Sequence, residues 1–164
     1  MRLGYVSLVG RGANDALLAE AVALAEAQGM KLAGCVQLNM DRAGEEDCDM
    51  DLRILGGGPW VRINQRLGSG SRGCKLDPAA LEAAVAEVSS RLSGCSGLIV
   101  NKFGKHEAMG RGFRPLVGEA LAGGMDVVLG VNRLNLDAFL EFSGGFAQEL
   151  SANPQAILAF LRKT

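Results

Sequence analysis

The sequence predicts an α/β domain with a mainly parallel sheet, helices on both faces in three layers, and a β-hairpin excursion in its first half. Three observations point there. The chain opens strand, helix, strand, the order that favours a parallel sheet. Two later runs, Leu98–Val100 and Met125–Val131, are short and apolar but for Asp126, as strands buried on both faces are. A length of 164 residues suits one compact domain, residues 1–164, with the hairpin and loop excursion at about 39–77.

The elements follow in order. Arg2–Val9 is apolar and runs at once into Gly10-Arg11-Gly12-Ala13-Asn14-Asp15, a turn with Asn14 or Asp15 placed to cap the next helix. Ala16–Gln28 consists of strong helix formers and is followed by Gly29, where a C-cap belongs. Lys31–Leu38 reads as a second buried strand, and Asn39–Asp49 as an acidic surface loop. Met50–Leu55 and Trp60–Ile63 alternate in polarity about Gly56-Gly57-Gly58-Pro59, a hairpin pattern. Gln65–Lys75 is a Gly/Ser-rich connector; Arg66, Arg72 and Lys75 also make it a second candidate anion loop. Asp77-Pro78 opens a helix that reaches Gly94, with Asp at the cap and Pro at the first helical position. After Leu98–Val100 comes a polar loop, then helix over Leu116–Leu121 ended by Gly123-Gly124, the strand Met125–Val131, and helices over Leu136–Phe142 and Pro154–Leu161, the last capped by Asn153.

Composition narrows the function classes. A net charge of −1 gives no whole-molecule field to attract nucleic acid or an acidic membrane, so affinity for anions must come from local cations. Aromatics at 5% are too sparse and too far from the cations for a base-stacking surface. The start MRLGYVSLVGRG lacks the apolar core of a signal peptide, and no apolar run approaches the ~18 residues of a membrane span, so a cytoplasmic protein is expected. Cys35, Cys48, Cys74 and Cys95 form no C-x-x-C pair and read as free thiols; Cys48 and Cys74, in polar sequence, are the two to watch for metal or redox chemistry. With one histidine and no G-x-S-x-G, a serine or cysteine hydrolase is not expected, and no cluster has metal-ligand spacing.

Two stretches carry candidate chemistry. GRGANDAL, Gly10–Leu17, sits between the first strand and helix, where backbone N–H groups and a helix N-terminus make an anion site. Set on G-x-x-x-x-G-K-[ST], it has Asp15 at the second Gly, Ala16 at the Lys and Leu17 at the hydroxyl residue. The backbone of Gly10, Arg11, Gly12, Ala13 and Asn14 remains a candidate phosphate loop; an ordinary glycine turn is the plain alternative. The second stretch, GLIVNKFGKHEAMGRGFR at Gly97–Arg114, ends a strand in a loop rich in cations and glycine. Ligands of open α/β sheets bind beyond the carboxyl ends of the strands. Asn101, Lys102, Lys105, Arg111 and Arg114 are the candidate anion-binding residues, with Gly104, Gly110 and Gly112 allowing backbone approach. In an enzyme, Glu107 would be the base and His106 an acid–base partner. A solvated charged loop is the alternative here.

The order of elements, MDLRIL in the hairpin, GCKLD before a helix, and above all VNKFGKHEAMGRGFR resemble a bacterial family known only as a domain of unknown function, often encoded near molybdate-transport genes. The likeness runs over nearly the whole chain. That family is similar in turn to the THEP-type P-loop nucleoside-triphosphatases, whose second motif reads Asp-Glu-hydrophobic-Gly-x-x-Glu. The resemblance implies a P-loop-NTPase-like fold with a degenerate Walker A motif. It also implies that Asn101 and Lys102 replace two magnesium-holding acids, a local change from about −2 to about +1 in charge that suits a bare anion better than Mg²⁺-dependent phosphoryl transfer. The expected function is a non-catalytic or weakly catalytic anion- or nucleotide-binding protein, with a molybdate-linked accessory factor as its specific form. No cofactor or metal is required in this reading; phosphate, sulfate, molybdate or a nucleotide is the ligand, and a protein is a further partner. The alternatives are a nucleoside-triphosphatase with an unusual site, Lys102 replacing the P-loop lysine and Glu107 acting as base, and a protein-interaction module that kept the fold.

Overall fold

A computed structural model describes residues 1–41, 48–65 and 75–162. Among them one sheet has the order β4-β3-β2-β7-β8-β1-β9. Its strands are β1 (Leu3–Val6), β2 (Leu32–Asp41), β3 (Cys48–Ile54), β4 (Trp60–Arg62), β7 (Gly97–Phe103), β8 (Asp126–Val131) and β9 (Gln148–Glu149). β2, β7, β8, β1 and β9 run parallel, and β3 and β4 extend the sheet antiparallel from β2. A separate two-strand ladder joins β5 (Asn64–Gln65) to β6 (Lys75–Leu76).

Alternation along the central strands builds two cores. Leu98 and Val100 of β7 and Leu129 of β8 join Leu81, Ala84 and Val88 of α2 (Pro78–Ser89), Leu116, Val117 and Ala120 of α4 (Arg114–Ala122) and Phe139 of α5 (Leu136–Ser143). Ile99 and Val128, on the other face, meet Leu17, Leu18 and Val22 of α1 (Ala13–Ala27) and Ile157, Leu158 and Leu161 of α6 (Pro154–Leu161). The period of two along each strand is what sends neighbours to opposite layers.

Helix ends obey local chemistry. Asp77 caps α2 by accepting from Ala79 and Ala80 N–H, and Asn153 caps α6 by accepting from Gln155 N–H. At the end of α1, Gly29 N–H bonds Glu26 and Met30 N–H bonds Ala25, the paired closure that needs a left-handed residue at Gly29.

Five expectations change, the first being that α2 ends at Ser89 and does not reach Gly94. The acidic segment from Asn39 does not leave the sheet at once, because the β2–β3 ladder continues to the Asp41–Cys48 pair. Cross-strand hydrogen bonding extends the strands into sequence too polar to predict as buried. Asn101 and Lys102 are the end of β7, not the start of a loop. α1 begins at Ala13, three residues early, with Gly12 in left-handed conformation at its cap, so neither Asn14 nor Asp15 is the N-cap. β9 was unpredicted, being two exposed residues paired only with β1. Arg66, Arg72 and Cys74, named above, and the acids Glu45, Glu46 and Asp47 of the Asn39–Asp49 segment lie outside the described residues.

Candidate functional site

The site is built where β1, β7 and β8 end. β1 passes through Ser7–Gly12 into α1, whose first intrahelical bond runs from Ala16 N–H to the Gly12 carbonyl at 3.0 Å. Asn14, in that first turn, braces the loop: its Oδ1 accepts from Leu8 N–H at 2.9 Å, and its Nδ2 donates to the Val131 carbonyl of β8 at 3.3 Å. The candidate phosphate loop is therefore shorter than the sequence suggested. Ala13 and Asn14 belong to the helix, the Ala13 N–H is bonded to Gly10, and Gly10, Arg11 and Gly12 form the turn before it. At the start of the segment that leads from β1 to α1, the Ser7 hydroxyl oxygen is buried and has no hydrogen-bond partner, alone in this respect among the buried side-chain polar atoms of the described residues. Sequence reasoning passed over Ser7, since a serine after a strand carries no distinguishing pattern.

β7 reaches the same edge with an irregularity. Val100 pairs with Leu129 but Phe103 pairs with Val131, so β7 holds one more residue than β8 between those pairs. Such a bulge re-aims side chains. It returns Phe103 to the Val100 face, where its ring meets Phe139 at 5.3 Å and Phe142 at 5.6 Å. Asn101, only 3% exposed, turns towards α1: its Oδ1 accepts from Gln37 N–H at 2.8 Å and its Nδ2 donates to Asp15 Oδ1 at 2.9 Å. Lys102 is exposed, its stem lying along Gly104. The neighbouring Cys35 thiol, wholly buried, is pushed up to about 12 by burial, against a smaller opposing effect of a backbone hydrogen bond from Asn101.

The segment after β7 is a braced turn. Gly104 precedes α3 (Lys105–Ala108), and the buried Glu107 reaches back so that Oε2 accepts from Gly104 N–H at 2.9 Å while Oε1 accepts from Phe113 N–H at 3.1 Å. Glu82 of α2 accepts from Gly112 N–H at 2.9 Å. Gly112 has φ +59°, and a Cβ there would overlap the Glu107 carboxylate, so glycine is required twice over. The five predicted anion-binding residues therefore separate. Asn101 is buried towards α1; Arg114 packs its guanidinium 5.0 Å above the Phe142 ring, 3.5 and 3.4 Å from the Glu107 and Ala108 carbonyls; Lys102, Lys105 and Arg111 are exposed. His106 is half-buried in α3. Glu107, named as the base of an enzyme, has both oxygens engaged by backbone amides.

Among the described residues no three His, Cys, Asp or Glu side chains converge to hold a metal ion, Cys35 and Cys95 are free thiols, and no helix is long and apolar enough to cross a membrane.

Comparison with known proteins places this geometry. THEP1 from the hyperthermophile Aquifex aeolicus superposes with a TM-score of 0.59 at 15% identity, over 99% of this chain and all of that one. A human cancer-related nucleoside triphosphatase gives 0.59 at 18% identity, over 90% of this chain and 86% of that one. The fold is P-loop-NTPase-like. In sequence, the chain is 35% identical over 151 residues, 92% of its length, to the molybdenum import ATP-binding protein ModC 2 of Bradyrhizobium diazoefficiens, and it spans 17% of that protein's length. The family model described as protein of unknown function (DUF2478) matches residues 4–160, and the chain belongs to that family.

Proposed function

We propose that the chain binds a small oxyanion, free or as the phosphate of a nucleotide, at the turn between β1 and α1, and that it does so with little or no catalysis, as an accessory domain linked to molybdate. The observation that carries this is the orphaned Ser7 hydroxyl in the segment between β1 and α1. Leaving a buried hydroxyl without a partner costs about 1–3 kcal/mol, which a ligand oxygen accepting its proton would offset. The position agrees. It lies at the carboxyl end of a central parallel strand and against the N-terminus of a 15-residue helix, whose dipole favours negative charge. The exposed Lys102, Lys105 and Arg111 at the exit of β7, two strands away across β8, add cationic charge at the same edge of the sheet.

Several features speak for binding over turnover. In this reading the turn is a degenerate Walker A: Ala16 and Leu17, near the start of α1, stand where a phosphate-binding lysine and a magnesium-binding hydroxyl would be needed, and Asn101 replaces an acid. The molybdate link is supported by the name of the 35%-identical relative, a longer protein in which this stretch is one part. A cytoplasmic location and the absence of a resident cofactor belong to the same proposal.

The test is thermal denaturation with phosphate, sulfate, molybdate, ATP and GTP, with and without Mg²⁺. A ligand at 100 times its Kd stabilises the folded state by about 2.7 kcal/mol, a rise of several degrees for a domain of this size. At least one of these anions should raise Tm equally in EDTA. No rise with any of them overturns the proposal, and Mg²⁺-dependent phosphate release from ATP would overturn its non-catalytic half. One observation favours a second reading, a protein-interaction module: Val9, Met109 and Leu134, after β1, α3 and β8, are 75%, 54% and 93% exposed. Exposed cations nearby, Lys105, Arg111 and Arg133, suit an acidic partner.

A further inference from the structure

Asn101 and Asp15 are 86 residues apart in sequence and hydrogen-bonded in the fold. The bond from Gln37 N–H fixes the Asn101 amide, since only its oxygen can accept; the NH₂ end is then the one that faces Asp15. Aspartate could not make both bonds, having no donor when ionised. Serine is too short to reach both partners.

Asp15 is the third helical residue after the Gly12 cap. A carboxylate at that position is placed to reach back to the N–H of the cap residue, as in a capping box. Here that N–H belongs to Gly12, at the mouth of α1, and it is among the donors an incoming anion needs. A carboxylate over that mouth would also take the favourable end of the helix dipole and repel a second negative charge. In the structure Asp15 Oδ1 is bonded to Asn101 instead.

We infer that Asn101 is a positioning residue for anion binding: it holds the Asp15 carboxylate against the end of β7 and so keeps the α1 N-terminus open to the anion. This rests on the anion-binding reading given above. Asn101 itself does not touch the ligand; it acts through Asp15.

The test is a swap of the pair, read by calorimetric titration of inorganic phosphate and of molybdate in EDTA, which prevents paired carboxylates from gathering a divalent cation. Asn101→Asp keeps an acceptor for Gln37 but repels Asp15, and should weaken anion binding roughly tenfold or more. The double variant Asn101→Asp with Asp15→Asn restores the bond with its polarity reversed and keeps the net charge of wild type. It should recover affinity to within about threefold. Asp15→Asn alone, which removes the competing charge, should bind at least as tightly as wild type. A melting curve for each variant separates loss of fold from loss of binding. If wild type binds an anion and Asn101→Asp binds it equally well, the inference falls and the anion site stands. Failure of the double variant to recover also overturns it, because Asn101 would then act on the ligand directly. If wild type binds neither anion, the underlying reading fails first.

Discussion

Glu107 shows how far a residue's chemistry depends on its surroundings. In sequence it is an acid among cations in a glycine-rich segment. In the fold its two oxygens accept from Gly104 and Phe113 N–H, so it fastens both ends of the α3 turn. Glu107→Gln puts an NH₂ group against one of those amides and leaves a buried donor unpaired, which should cost about 1–3 kcal/mol. Urea denaturation measures the loss; an unchanged midpoint would remove the bracing role. Cys35 makes a pH prediction at the same scale. Burial holds its thiol proton to about 12, against 9.0 for an ordinary thiol, so between those values the folded chain keeps a proton that the unfolded chain has released. Stability from this group is intact below pH 9 and falls as pH rises towards 12, by up to about 1.4 kcal/mol per pH unit. Cys35→Ser or Cys35→Ala variants should flatten the alkaline limb of the stability curve. Iodoacetamide at pH 8 should leave Cys35 unlabelled until the chain unfolds.

At the scale of elements, helix starts were read correctly where the capping side chain stands next to its helix in sequence, as at Asp77 and Asn153, whereas α2 ends at Ser89, short of the expected Gly94. Asp77→Ala, which frees the Ala79 and Ala80 amides, should cost about 1 kcal/mol by chemical denaturation. The start of α1 was misplaced because two cap-forming residues, Asn14 and Asp15, are used elsewhere. Asn14 bonds Leu8 and Val131, and Asp15 bonds Asn101. Only the distant strands reveal that. β7 was under-extended for a related reason: Asn101 is polar yet lies on the α1 face with Ile99, and beyond it the bulge leaves Lys102 exposed, so the polar end carries no apolar alternation.

For the whole molecule, β2 is the strand that joins the parallel sheet, through β7, to its antiparallel extension, through β3. Gly34, φ +122°, lies so close to β7 that a Cβ would overlap the Ile99 carbonyl oxygen. Gly34→Ala should therefore force apart the two strands on which both cores rest, with a loss of more than about 3 kcal/mol. Soluble yield and the denaturation midpoint report it; a midpoint within experimental error of wild type would show that the sheet tolerates the separation.

By itself the sequence determined the order of elements, the buried strands, the hairpin and the end of the sheet at which to look for a site. These follow from local periodicity, apolar run length and turn chemistry, all written within about ten residues of where they act. Tertiary structure decided the rest: the order β2-β7-β8-β1, the pairing of Asn101 with Asp15, the burial of Glu107 and the packing of Arg114 on Phe142 in bracing roles, and the partnerless hydroxyl of Ser7. Each depends on which strand ends lie side by side, and contacts between residues tens of positions apart leave no trace in any local pattern.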